Sequence, residues 1–417
     1  MDVCISPSSL HGSTTAVPSK SMGHRSLICG ALSGGGTVSN LSWSADITAT
    51  VDALSAMGFS LKKGENTVTF TGFSPAKEPV IDCNESGSTL RFLLPVASAL
   101  GLSCTFTGRG RLPSRPIDVL TRALSRHGVR CSSDSLPLSL SGRLSPGKFH
   151  LPGNISSQYI SGLLFALPLL SGDSEIILTT SLESKPYVDL TVKALADFGV
   201  LVEEQDDGYQ VPGNQRFFPQ SCVVEGDYSG AAFFACGGAL TGEVTTFGLD
   251  HGSLQGDREI FPLLAQMGAI VEEGDNHVRV AAGQLHAIDI DASQIPDLVP
   301  ILAVTAAFCQ GTTTIYNAGR LRLKESDRLA AVADCLEKLG GKVKEHADHL
   351  VITGRDSLEG GAVDGYNDHR IVMAMAIAAL RCKNPLVIRG AQATQKSFGT
   401  FFEEFAKLGG NCHVIHD

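Results

Sequence analysis

The sequence predicts an α/β protein of two domains, built from six copies of one unit. An apolar helix with a small polar start recurs about every 70 residues. Each copy also carries a second, more amphipathic helix that runs into glycine, followed by short strands of alternating pattern. At 417 residues the chain exceeds one ordinary core, so the copies must be shared between domains.

In chain order the apolar helices are SMGHRSLICGALSGG from Ser21, SGSTLRFLLPVASALG from Ser86, SSQYISGLLFALPLLSG from Ser156, DYSGAAFFACGGALTG from Asp227, PDLVPILAVTAAFCQG from Pro296 and NDHRIVMAMAIAALR from Asn367. A helix that is apolar nearly all round, such as Leu298 to Cys309, must be buried on every side. Three such helices per domain divide the six units into two pseudo-symmetric halves. The expected domains are residues 10–222, holding units one to three, and residues 1–9 with 223–417, holding units four to six. Turn signals such as Lys63-Gly64-Glu65-Asn66 and Asp206-Asp207-Gly208 separate the strands that follow the amphipathic helices.

Charged residues make up 18% of the chain and aromatic residues 6%, a soluble globular composition. A formal charge of −10 argues against general nucleic-acid binding, so clustered cations suit a small anionic ligand. The eleven cysteines form no C-x-x-C pair and give no disulfide framework or zinc site. No basic and apolar leader opens the sequence, and no apolar run reaches the roughly 20 residues that span a bilayer. A reducing cytoplasm is the expected compartment. There is no Walker loop and no G-x-G-x-x-G, which disfavours ATP and dinucleotides.

The chemical signals collect where helices begin, because unpaired backbone N–H groups and the helix dipole favour anions there. Capping alone explains any single Ser or Asp at such a position. It explains less where cations join them. Lys20 and Arg25 flank the first apolar helix, and a buried arginine needs a partner, which an anionic ligand could supply. Asn84 to Thr89 is a small Gly-containing turn that phosphate could approach closely. Ser156, Ser157 and Gln158 offer two hydroxyls and an amide, and Ser184 to Tyr187 another hydroxyl, a cation and a phenol. Asp297 precedes the most hydrophobic helix, where it could cap or accept a substrate proton. His346 and His349 lack a third ligand and read as surface residues.

The densest signal is NAGRLRLKESDRLAAVADCLEKLGG, Asn317 to Gly341. Leu329, Val332, Leu336 and Leu339 recur at helical spacing and Gly340-Gly341 supplies a stop. Ahead of them Arg320, Arg322, Lys324 and Arg328 crowd around Glu325 and Asp327. With a helix start near Glu325, Lys324 and Arg328 share a face, giving a basic anion site with an acid beside it.

PSKSMGHR, ESGSTLRFL, RLPSRPID, SSQYISGLL, SKPY, IPD, LKESDRL, YNDHR and QKSF stand in the order and spacing of the 5-enolpyruvylshikimate-3-phosphate synthase family, which the chain resembles over almost its whole length. The resemblance implies a two-domain inverted α/β barrel-like fold with six repeats of a βαβαββ-type unit, three per domain, and an active site in the interdomain cleft. It implies transfer of the enolpyruvyl group of phosphoenolpyruvate to the 5-hydroxyl of shikimate 3-phosphate by addition and elimination, on the route to chorismate and the aromatic amino acids. No metal or organic cofactor is implied, and the expected partners are these two small substrates, with a monomeric chain and neither nucleic acid nor membrane.

Carried over by position, the resemblance assigns Lys20, Ser21, Arg25, Ser156, Ser157, Gln158, Ser184, Tyr187, Asp297 and Lys324 to shikimate 3-phosphate. It assigns Lys20, Gly87, Arg115, Gln158, Arg328, Arg370 and Lys396 to phosphoenolpyruvate. Asp297, Glu325, Lys20 and Lys324 are the implied catalytic set. Asp297 accepts the hydroxyl proton, and Glu325 delivers and later removes the methylene proton. Two positions depart from the family pattern. Glu85 stands where many members have Asn, a charge that could pair with Arg115 or Lys396 or point away, and Arg320 replaces another Asn. The alternatives are the sister enzyme acting on UDP-N-acetylglucosamine, which differs in its Lys-Asn start and loop cysteine, and a non-catalytic repeat protein, which would not need the ionic residues.

Overall fold

The computed structural model describes residues 1–416. It divides into two compact units, one from Pro18 to Val224 and one from Met1–Val17 together with the chain from Glu225 onward. Each has its own hydrophobic core.

The first unit pairs α1 (Lys20–Ser33) with α2 (Ala45–Met57), α3 (Gly87–Leu100) with α4 (Asp118–Ser125) and α5 (Ser157–Ala166) with α6 (Lys185–Asp197). The second repeats the scheme with α7 (Tyr228–Thr241) and α8 (Ile260–Met267), α9 (Val299–Ala306) and α10 (Arg328–Lys338), and α11 (His369–Ala379) and α12 (Phe401–Lys407). The leading helix of each pair is the apolar one. Every residue of α9 and of α11 is buried, as helices without a polar face require. The trailing helices bury one stripe, and in α10 and its end this is Leu329, Val332, Leu336 and Leu339, each 0% exposed.

Among the described residues the strands form six four-stranded sheets, all with one pattern: a parallel pair at one side, then two antiparallel neighbours. Val80–Asp82 and Cys104–Thr107, for example, are parallel and flank α3 in sequence. Parallel neighbours need a crossover, and the apolar helix supplies it.

In each unit one repeat must borrow the strand that precedes its helix. Cys222–Val223 pairs parallel with Gly36–Ser39 beside α1, and His11–Thr15 pairs parallel with Glu243–Phe247 beside α7. Asp2–Ser6 fills the middle of the last sheet, between Leu386–Arg389 and Asn411–His416. The N-terminal crossing therefore lies after Val17 rather than after residue 9, because His11–Thr15 completes a sheet of the second unit. The second crossing follows Val224 rather than residue 222. Among the described residues no helix is long and apolar enough to cross a membrane.

Candidate active site

In the unit from Pro18 to Val224 the predicted residues gather at the starts of α1, α3, α5 and α6. Ser19 caps α1 by accepting from the Met22 N–H, which leaves Lys20 and Ser21 in its first turn. Lys20 Nζ lies 2.7 Å from Asp46 Oδ2, a carboxylate in the first turn of α2. Ser86 caps α3 through the Thr89 N–H, and Gly87 opens that helix. A Cβ on Gly87 would stand 2.5 Å from Arg91 Nη1 and 2.8 Å from Arg115 Nη1, so two guanidiniums converge on the bare backbone. Arg91, 3% exposed, also donates to Gln158 Oε1 at 3.1 Å and to the Pro116 carbonyl, while Gln158 Nε2 donates to Ser88 Oγ. Ser156 precedes α5 without capping it by its side chain. Ser184 precedes α6 at φ 54°, a left-handed conformation that costs a non-glycine residue energy and fixes the direction of the turn.

Arg25 is the most informative of these residues. It is 3% exposed, and its guanidinium donates to Thr191 Oγ1 at 2.9 Å, the Ser21 carbonyl at 2.7 Å and the Tyr187 carbonyl at 2.6 Å, with the Phe92 ring 5.2 Å away. All three acceptors are neutral. Burial accordingly pushes its pKa down to about 10, a value at which it is still a cation near neutrality.

The second unit gathers a different set. Arg328, the first residue of α10 and 1% exposed, donates from Nε to Asp368 Oδ2 at 2.8 Å, from Nη1 to Asp297 Oδ1 at 2.9 Å and from Nη2 to Glu325 Oε2 at 2.8 Å. Arg370 Nη2 reaches Asp297 Oδ2 at 2.9 Å, and Lys324 Nζ lies 3.4 Å from Asp297 Oδ1. Lys396, 8% exposed, donates to the Asn367 carbonyl at 2.6 Å. Desolvation would lower the pKa of Arg328, but Asp368, Glu325 and Asp297 outweigh it and raise the pKa. Burial opposes ionisation of Asp368 too, yet Arg328 holds that carboxyl below the ordinary range. Lys324 is lowered, by burial first and then by Arg328 and Arg320, against the attraction of Asp297 and Glu325.

Two details differ from the sequence reading. The helix starts at Arg328, with Asp327 as its cap, so Glu325 sits in the turn before it; Glu325 meets Arg328 through that turn and not along a helix face. Arg322 lies outside the cluster, because Asp327, Glu345 and the Ala347 and His346 carbonyls hold it. Glu85 lies over Gly110, where a Cβ would come within 2.5 Å of its carboxyl. Sequence reasoning also missed Asp46 and Asp368 as partners of Lys20 and Arg328. Their position at helix starts was the available signal, and it reads equally well as capping.

A cation-rich set of helix starts in one unit and a carboxylate–guanidinium cluster in the other suit anionic substrates and proton transfer. The model of EPSP synthase (3-phosphoshikimate 1-carboxyvinyltransferase) matches residues 5–405. The chain belongs to the EPSP synthase family. It is 45% identical to the 3-phosphoshikimate 1-carboxyvinyltransferase of Clostridium novyi and 46% identical to that of Clostridium kluyveri, with 98% of this chain covered in both and 98% and 97% of those proteins. Among solved structures, EPSP synthase from Acinetobacter baumannii superposes with a TM-score of 0.84 at 27% identity over the whole of both chains. An enolpyruvyl transferase from Streptomyces tendae, at 19% identity and a TM-score of 0.81, shares the fold. The six-sheet, two-unit architecture is thus the enolpyruvyl transferase fold of this family.

Proposed function

We infer that the chain transfers the enolpyruvyl group of phosphoenolpyruvate to the 5-hydroxyl of shikimate 3-phosphate, releasing phosphate. Family membership supports the reaction, and Arg25 is the observation that supports the substrate assignment. A buried guanidinium whose acceptors are all neutral oxygens is poised to gain far more from a phosphate than a surface arginine would. In this reading Arg25, Lys20, Ser21, Ser156, Ser157, Gln158, Ser184 and Tyr187 hold shikimate 3-phosphate. Gly87, Arg115 and Lys20, with Arg328, Arg370 and Lys396, hold phosphoenolpyruvate.

The 5-hydroxyl adds to C2 of the enol ester while C3 gains a proton, and loss of that proton then expels phosphate. Asp297 accepts the hydroxyl proton. Its two oxygens are engaged by Arg328, Arg370 and Lys324. The carboxylate and phosphate of phosphoenolpyruvate compete for those same cations, which releases Asp297 to act as base. Glu325, held by Arg328, moves the C3 proton, and Lys324 beside it binds substrate and stabilises the charge that develops.

The test is phosphate release from phosphoenolpyruvate with each acceptor. Release that depends on shikimate 3-phosphate is expected; release that depends on UDP-N-acetylglucosamine instead would overturn the reading. The eleven free cysteines suit the reducing cytoplasm in which we place the chain, acting as a monomer.

A further inference from the structure

A buried row of polar side chains runs from α1 to the cap of α3, outside the set assigned to substrates. His24 Nδ1 lies 2.7 Å from Thr50 Oγ1, Thr50 Oγ1 lies 2.6 Å from Thr89 Oγ1, and the Thr89 hydroxyl donates to Ser86 Oγ at 2.7 Å. The four side chains are 1%, 0%, 0% and 1% exposed, so water does not interrupt them. Ser86 Oγ is also the cap that accepts from the Thr89 N–H at 3.2 Å.

A hydroxyl has one proton to give, which fixes the direction of the whole row. Thr89 spends its proton on Ser86, so it must accept from Thr50. Thr50 then has none left for His24, so His24 must donate from Nδ1. A second observation agrees, since Nε2 is buried and meets no hydrogen-bond partner, a poor place for a proton and a tolerable one for a bare lone pair. Burial, with Lys20 and Arg25 nearby, lowers the pKa of the imidazole well below its ordinary value and keeps it neutral.

We propose that His24 is a positioning residue: as the Nδ1–H tautomer it drives a one-way hydrogen-bond chain through Thr50 and Thr89 that registers the Gly87 turn against the helix start carrying Lys20 and Ser21. The row ends on the cap of α3, so it sets where the Gly87 N–H, in the first turn of that helix, stands relative to Lys20. The proposed function assigns Gly87 to phosphoenolpyruvate, and the proposal rests on that reading of the site.

Two measurements test it. In the wild-type chain, nitrogen-15 NMR of the His24 ring should show a protonated Nδ1 and a bare Nε2; an Nε2–H tautomer, or an imidazolium at neutral pH, overturns the proposal whatever the enzyme's activity. In steady-state assays His24→Leu and Thr50→Val should raise the KM for phosphoenolpyruvate by about three- to tenfold, the worth of one buried hydrogen bond, and leave the KM for shikimate 3-phosphate nearly unchanged. His24→Asn, whose amide can donate from the place of Nδ1, should restore the wild-type KM, and His24→Gln, whose donor sits at the place of Nε2, should not. A wild-type KM in His24→Leu, or equal defects in the Leu and Asn variants, reduces His24 to packing and sinks the idea. A chain that releases no phosphate with shikimate 3-phosphate removes the proposed function, while the ring tautomer still decides the hydrogen-bond chain.

Discussion

Arg328 and Asp297 meet at 2.9 Å between Nη1 and Oδ1, and the same guanidinium reaches Glu325 at 2.8 Å. One buried cation therefore orients both carboxylates that we assign to proton transfer. Removing either carboxylate should strike the chemical step more than binding. Asp297→Ala and Glu325→Ala are each expected to slow kcat by about 100- to 10,000-fold, while calorimetric affinity for shikimate 3-phosphate changes far less. Wild-type turnover in either variant would refute the role given to that residue.

Arg328 also carries structural weight. It is the counter-ion of Asp368, which is 0% exposed, as well as of the two proton-transfer carboxylates. Arg328→Leu leaves a fully buried carboxylate without its cation, an arrangement that costs roughly 3–5 kcal/mol. Urea unfolding of the variant should show that loss. Restoring part of it by adding Asp368→Asn in the same chain would confirm the cause, whereas a double variant no more stable than the single one would contradict it.

Stability should depend on acid through the same pair. Because Arg328 holds the pKa of Asp368 down, the unfolded chain binds the proton more tightly than the folded one. The stabilisation is thus fully present above the ordinary aspartate value of 3.8 and fades as pH falls through the lower folded value. Denaturation followed from neutrality to about pH 2 should show the gap between wild type and Asp368→Asn narrowing below about 4. A gap of constant size would mean that Asp368 does not titrate as described.

Gly87 is not in a left-handed conformation, so alanine suits its backbone, but the added Cβ would press on Arg91 and Arg115. Both contacts are ends of flexible side chains and can move. Gly87→Ala should therefore fold normally and raise the KM for phosphoenolpyruvate by about tenfold or more through misplaced guanidiniums, with little effect on the KM for shikimate 3-phosphate. Equal changes in both constants would show that the crowding is not confined to one ligand.

Much of the site was legible because its residues sit at helix starts, and helix starts announce themselves locally. Ser19 and Ser86 cap where a small polar residue precedes an apolar run, and Asp327 caps the amphipathic helix it introduces. Placing that last helix start at Glu325 was an error of local competition. Four cations and two carboxylates in a row satisfy helical spacing in more than one register, and the Asp327 cap is what breaks the tie. Arg322 belongs to that same crowd of cations and does pair with Asp327, but its other partners include Glu345 and two carbonyls beyond the helix.

The sequence by itself determined the six-fold repeat, the burial of the leading helices and the helix ends at which charge collects, since each depends on periodicity and capping within a few turns of chain. Tertiary structure alone decided which charges are matched. Arg328 finds Asp368 across forty positions of chain and becomes a neutralised hub, while Arg25 finds Thr191 and the Tyr187 carbonyl and is left with no carboxylate. The two arginines look alike in sequence, each near a helix start beside a lysine. Their difference arises because burial makes an ion's energy depend on what the fold brings within hydrogen-bond distance, and no local pattern encodes that neighbour.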